Sequence, residues 1–359
     1  MRHVLKKQCT FLCVFTFLLF LASMFLLSVH TRTRRKAWQQ VELMDQTQNI
    51  SPLSPPPPPQ ARHPLQVVYP YSYQFLLNEP DKCKETSPFL LLMIIAEAKN
   101  VVARNAIRET WGNESAIPGV SIARLFLVGM APAFGGPVQN LLQEESRTFG
   151  DIIQQDFLDT YHNLTLKTLM GMEWVSRYCP NARYVMKVDS DMFFNADYLV
   201  HSLLKPEELP RERYISGLIV ANTGPLRSKA YKWYVPKEIY PNDTYPPYCS
   251  GPGYVFSADM AKRIYDVAQS LKVVNMEDVF MGICLYELQI QITKPPAGLF
   301  NGHHIAYDRC KFKKLIIVHH YSAEQLLELW PDFQNNTDCS EQAMGHRALP
   351  FSAPPHPRP

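Results

Sequence analysis

Met186-Lys187-Val188-Asp189-Ser190-Asp191 sets two carboxylates two residues apart where an apolar run ends. If that run is a strand, its period-two alternation sends both to one side, where they can share a cation. Hard divalent ions take oxygen ligands, keep positions open for phosphate oxygens and offset the charge of a diphosphate leaving group. A bare D-x-D arises by chance about once in a chain of this length. Its place after a buried strand is what separates it from a turn or a helix cap. Other groups suited to chemistry lie elsewhere. Arg104 and Arg108 are four apart and share a face on a helix, where they could meet phosphates or a base, or simply form a solvated basic face. Gly251 and Gly253 let a backbone pass close to a ligand, although Pro252 between them fixes φ and removes an N–H. Glu277 and Asp278 open a helix, where acids favour the dipole whatever else they do. His319 follows the apolar run Leu315 to Val318 and so emerges at a strand end.

The elements that must position these groups alternate in type. Phe89 to Ala96 reads as a buried strand, followed by a helix around Ala103 to Thr110. Ile122 to Val128 reads as a second strand and Val138 to Phe149 as a helix. Asp151 to Phe157 is a third strand, Leu164 to Tyr178 a strong helix, and Tyr184 to Val188 a strand that ends at Asp189. Trp111 is expected in the core. Such alternation predicts an α/β sandwich on a mostly parallel sheet, whose ligand site lies at the carboxyl ends of the strands. That rule points at Asp189 to Asp191. Beyond Tyr231 the chain turns Pro-, Tyr- and Gly-rich, as site-forming loops do, before a helix over Ala258 to Leu271.

Four segments, in order, resemble the motifs of the β1,3-glycosyltransferase family, which comprises β1,3-galactosyltransferases and N-acetylglucosaminyltransferase relatives. They are Arg104 through Gly112, Tyr184 through Asp191, Tyr248-Cys249-Ser250-Gly251-Pro252-Gly253-Tyr254, and Glu277-Asp278-Val279. The resemblance runs from about Phe89 to Cys339. The stretch Lys232-Trp233-Tyr234-Val235-Pro236 through Tyr245-Pro246-Pro247-Tyr248-Cys249 looks most like the galactosyl branch. The resemblance implies a GT-A fold, a Rossmann-like nucleotide-sugar half merging into an acceptor half. It also implies inversion at the anomeric carbon of an α-linked UDP-sugar, with Mn²⁺ as cofactor, UDP-galactose as donor and a glycan on a glycoprotein or glycolipid as acceptor. By the same implication Asp278 is the base for the acceptor hydroxyl and Glu277 its reserve. Arg104, Arg108, Asp189, Asp191, Gly251, Gly253 and Glu277 would line the nucleotide-sugar site, and His319 would join Asp189 and Asp191 at the metal, with His320 adjacent. Pro252, and Asn301-Gly302-His303-His304 where galactosyl relatives tend to read Asn-His-Trp, depart from the pattern and bear on donor or acceptor preference.

The rest of the chain sets the compartment. Cys9 to Val29 is an apolar stretch of 21 residues, which as a helix spans roughly 30 Å, the thickness of a bilayer core. Cations flank both sides, so charge alone does not orient it. Five N-x-S/T sequons, at Asn49, Asn113, Asn163, Asn242 and Asn335, place the body in the lumen, Asn49 being weakened by Pro52. Six cysteines outside the apolar run, with no C-x-x-C pair, read as disulfides of an oxidising compartment, their pairing left open. The expected organisation is a cytoplasmic tail 1–8, a transmembrane anchor 9–29 and a Pro-rich stem 30–87. A single luminal catalytic domain 88–340 and a disordered tail 341–359 follow, in a type II protein of the Golgi membrane. A net charge of +3 is too small to suggest nucleic acid as the partner, and none is expected. Three competing readings are weighed: an N-acetylglucosaminyltransferase using UDP-GlcNAc, an inactive luminal glycan-binding protein, and a UDP-sugar hydrolase. The intact D-x-D and Asp278 speak against the second, and the long Tyr- and Pro-rich loop against the third.

Overall fold

The structure, a computed structural model, describes residues 67–133, 135–335 and 339. The expected tail 1–8, anchor 9–29 and tail 341–359 lie outside the described residues. Among those described, no helix is long and apolar enough to cross a membrane. The expected boundary at residue 88 is corrected. Val67 is only 6% exposed, a strand β1 (Phe75–Leu77) pairs with the sheet, and Cys83 is bonded to Cys179. The segment just upstream of residue 88 is therefore part of the folded body.

Seven strands form one sheet in the order β1-β4-β3-β2-β5-β8-β7. They are β1, β2 (Leu90–Ile95), β3 (Ile122–Met130), β4 (Ile152–Leu158), β5 (Tyr184–Asp189), β7 (Ile215–Val220) and β8 (Tyr248–Ser257). The pairs β4–β3, β3–β2 and β2–β5 are parallel. The pairs β1–β4, β5–β8 and β8–β7 are antiparallel. The expectation of a mostly parallel sheet thus holds for its centre and fails at both edges. β2 is buried at every position because both faces are covered, which is why it reads as an unbroken apolar run. Its alternate residues feed two cores. Leu91 and Met93 pack with the helices α3 (Leu164–Tyr178), α4 (Asp259–Ala268) and α5 (Glu277–Glu287). Leu90, Leu92 and Ile94 pack with Ile107 of α1 (Val101–Glu109) and Leu142 of α2 (Gly135–Phe149). Trp111 lies in this second core at 1% exposure, edge-on to Phe194 at 5.6 Å.

Two features matter most for the site. The Gly251-Pro252-Gly253 segment, expected in a loop, belongs to the ten-residue strand β8. Its proline is accommodated because pairing with β7 shifts register there, from Gly217↔Tyr254 to Ile219↔Cys249. The second feature is a small sheet of β6 (Met192–Phe194), β10 (Ile317–His319) and β9 (Phe300–Asn301). Its register sets His319 opposite Met192.

Candidate active site

β5 delivers Asp189 as its last residue, and the chain then turns through Ser190 and Asp191 into β6. Strand alternation stops at Asp189, and the two carboxylates take different partners. Asp189 is held by Lys187, whose Nζ donates to its Oδ1 at 2.6 Å. Asp191 faces His319, with Oδ2 and Nε2 3.2 Å apart. The His319 ring is oriented from behind by Nδ1–H donating to the Gly302 carbonyl at 3.3 Å. His320, at φ 66° in the left-handed region, stacks on His319 at 3.8 Å. One ligand atom each from Asp191, His319 and His320 lie within 4.8 Å of one another. One carboxylate oxygen and two imidazoles suit a borderline divalent ion, so the residues present fit a cation. The structure therefore adds His320 to the expected set and leaves Asp189 within electrostatic reach of Asp191 and His319.

Charge settles unevenly across these groups. Burial pushes Asp191 up, but the hydrogen bond and charge of His319 outweigh it and hold the carboxyl below its ordinary range. Burial pulls His319 down, yet Asp191 raises it overall. His320 is lowered by burial and then by its neighbour His319. Asp189 is raised by burial despite the pull of Lys187.

The second carboxylate group opens α5. Glu277 is 7% exposed and fully committed. Its Oε1 accepts from Tyr254 Oη at 2.7 Å and Thr168 Oγ1 at 2.9 Å, and its Oε2 lies 3.8 Å from Lys187 Nζ. Asp278 is half-buried and held only by backbone: Val279 N–H donates to Oδ1 at 2.9 Å and Gly251 N–H to Oδ2 at 3.1 Å. Burial raises its pKa, and those two N–H groups pull back without cancelling the effect. Of the two acids, Asp278 is thus the one whose hydrogen bonds come from backbone alone. Lys187 also donates to the Gly251 carbonyl, so one buried ammonium ties β5, β8 and α5 together. Sequence reading passed over Lys187. Its signal was a charge inside an otherwise apolar strand, which survives only when paired.

Three expected site residues are placed differently. Arg104 is 1% exposed and donates to Glu145 through Nε at 2.8 Å and Nη2 at 2.6 Å, and to the Glu97 and Ala98 carbonyls. Arg108 donates to both Asp151 oxygens, at 2.9 and 2.7 Å, and its Nη1 reaches Glu145 Oε1 at 2.7 Å. Arg124 donates to Asp151 as well, at 2.8 Å. The expected nucleotide-binding arginines are corrected to members of a buried ion-pair cluster, since both side chains are buried and face acids of the fold. Gly253 is corrected too. A Cβ there would come within 3.0 Å of Met186 and 3.1 Å of Ile317, so its need is core packing. At Gly251 a Cβ would lie at ordinary contact distance, 3.4 Å, from Asp278 Oδ2.

The family described as galactosyltransferase matches residues 102–296. Mouse β1,3-galactosyltransferase 2 is 48% identical over 267 residues, 74% of this chain and 63% of that protein. The same-named protein of Pongo abelii is 49% identical over 271 residues, 75% of this chain and 64% of that protein. Mouse β1,3-galactosyltransferase 1 is 46% identical over 269 residues, 75% of this chain and 81% of that protein. The aligned part thus spans less than two thirds of the first two relatives and most of the third.

Proposed function

The chain belongs to the galactosyltransferase family, and from that premise we propose that it transfers galactose from UDP-galactose, with inversion, to the 3-hydroxyl of a terminal sugar. N-acetylglucosamine or a related residue on a glycoprotein or glycolipid is the acceptor in this reading. The observation that carries it is the division of labour between neighbouring acids. Glu277 is locked by Tyr254, Thr168 and Lys187, whereas Asp278 keeps a raised, half-buried carboxylate on two backbone donors. A base with that shift is better matched to neutral pH than an exposed aspartate.

Asp278 takes the proton of the acceptor hydroxyl. The acceptor oxygen bonds the anomeric carbon from the face opposite the nucleotide, the carbon–oxygen bond to UDP breaks, and the electron pair leaves with the diphosphate. Asp191, His319 and His320 would hold a divalent ion, Mn²⁺ in this reading, and when bound it supplies charge compensation for that diphosphate. Gly251 orients the base through its N–H, and Lys187 fixes Gly251 and Asp189 together. The GT-A assignment rests on the α/β sheet with its acids at a strand end.

A Golgi location, with residues 9–29 as a type II anchor and the body in the lumen, belongs to the same proposal. Two disulfides, Cys83–Cys179 and Cys310–Cys339, support an oxidising compartment, while Cys249 and Cys284 stay as buried thiols. The test is a donor screen with the full chain in detergent. Galactose is expected to appear on a GlcNAc-terminated acceptor, with UDP-GlcNAc inert. Transfer of GlcNAc instead, or UDP release with no glycan product, would overturn the reading.

A further inference from the structure

The loop from Ser228 to Trp233 is exposed, and its aromatic tip has no part in the core. Trp233 is 51% exposed and Tyr231 55%. Half-exposed tryptophan and tyrosine rings leave aromatic surface available to a ligand. The tip is anchored toward the site. The Lys232 ammonium sits 4.1 Å over the Tyr161 ring, and the Trp233 side chain reaches the Tyr161 hydroxyl. Tyr161 opens the turn into α3. That turn and the start of α3 are tied to the segment leading into α5, by His162 Nδ1 to Asn275 Nδ2 at 3.4 Å and by Thr165 Oγ1 donating to the Val274 carbonyl at 2.9 Å. Asp278 follows three residues later. The Tyr161 hydroxyl accordingly feels the charges of Asp278, Asp189 and Glu277.

Order along this line matters. Tyr161 has one ring face taken by Lys232 and meets the His162 ring edge-on, at 5.8 Å, so it is not itself a free platform. Trp233, which contacts the Tyr161 hydroxyl and is half exposed, has ring surface left for a ligand. A pyranose presents a face of weakly positive C–H groups that matches the negative face of an indole. We propose that Trp233 is a specificity-determining residue that stacks the second sugar of the acceptor, the one next to the sugar whose hydroxyl meets Asp278. The preferred acceptor is then at least a disaccharide. This subsite rests on the reading of the enzyme as a glycan-directed transferase.

The experiment compares W233A and W233F with the natural chain, in detergent, on a GlcNAc-terminated disaccharide and on the matching GlcNAc monosaccharide glycoside. W233A is expected to raise the disaccharide KM about tenfold, W233F to restore most of it, and the monosaccharide and UDP-galactose KM values to move less than about twofold. A disaccharide KM within twofold of the natural chain, or an equal rise for both acceptors, overturns the proposal. A second readout separates it from the reaction itself: quenching of tryptophan emission by the disaccharide with UDP and Mn²⁺ and no donor sugar, lost in W233F. Quenching without any galactose transfer sinks the donor assignment and keeps the subsite. Transfer that is indifferent to W233A does the reverse.

Discussion

Asp278 illustrates how much a single residue owes to its setting. Glu277-Asp278 looks in sequence like two interchangeable acids at a helix start, yet only Asp278 has no side-chain partner to satisfy. Asp278→Asn keeps the size and most of the hydrogen bonding but removes the proton acceptor. It is expected to lower kcat by about 10²–10⁴-fold with UDP binding retained in Mn²⁺, measured by turnover and calorimetry. Glu277→Gln takes away a buried charge facing Lys187, so its first effect should be a lower melting temperature. The pH profile follows from sign. A base works only when ionised, and burial raises the Asp278 pKa, so activity should fail on acidification at a higher pH than an exposed aspartate would allow. At the cation, chelator should abolish transfer, Mn²⁺ should restore it, and Asp191→Ala should not be rescued. Full activity in chelator would remove Asp191, His319 and His320 from the mechanism. Asp189, Asp191 and Asp278 could be singled out in the chain because motifs carry them, and their roles are the ones proposed above. His320 could be noted only as the neighbour of His319, and Lys187 not at all, since their partners depend on which neighbours the fold brings.

At the scale of elements, the parallel centre of the sheet was legible because strands covered on both faces become unbroken apolar runs. β8 was not, for its glycines and Pro252 look like a loop until the register shift against β7 makes room for them. α1 was found with its helical period, but its arginines were read as facing outward. The partners that bury them, Glu145 on α2 and Asp151 before β4, are about 40 residues away and leave no local trace. That cluster has a measurable weight. Asp151→Asn would leave Arg108 and Arg124 short of acceptors in a buried setting, where breaking such a network costs about 3–5 kcal/mol. Chemical denaturation should show the loss, and the protein that remains folded should bind UDP as before. A stability change below about 1 kcal/mol would mean that water, and not Asp151, satisfies these arginines.

Across the whole molecule the sequons separate into classes the sequence could not distinguish. Asn113, Asn242 and Asn335 are exposed. Asn163 is half-buried, its Nδ2 donates to the Leu158 carbonyl at 2.8 Å, and the Thr165 of its sequon is wholly buried. In a chain made through the secretory pathway, glycopeptide mapping should find glycans on the first three and none on Asn163, whereas a glycan there would mean that the turn before α3 opens. The small sheet has a consequence of another kind, in the order of synthesis. All seven strands of the large sheet precede residue 258, as do Asp189 and Asp191, and Asp278 comes soon after. His319 and His320 arrive only with β10. A translation product cut short before Ile317 could therefore assemble the entire large sheet and its base, yet would lack both imidazoles beside Asp191. On the reading proposed here, manganese affinity is a checkpoint that finished polypeptides pass and abbreviated ones fail.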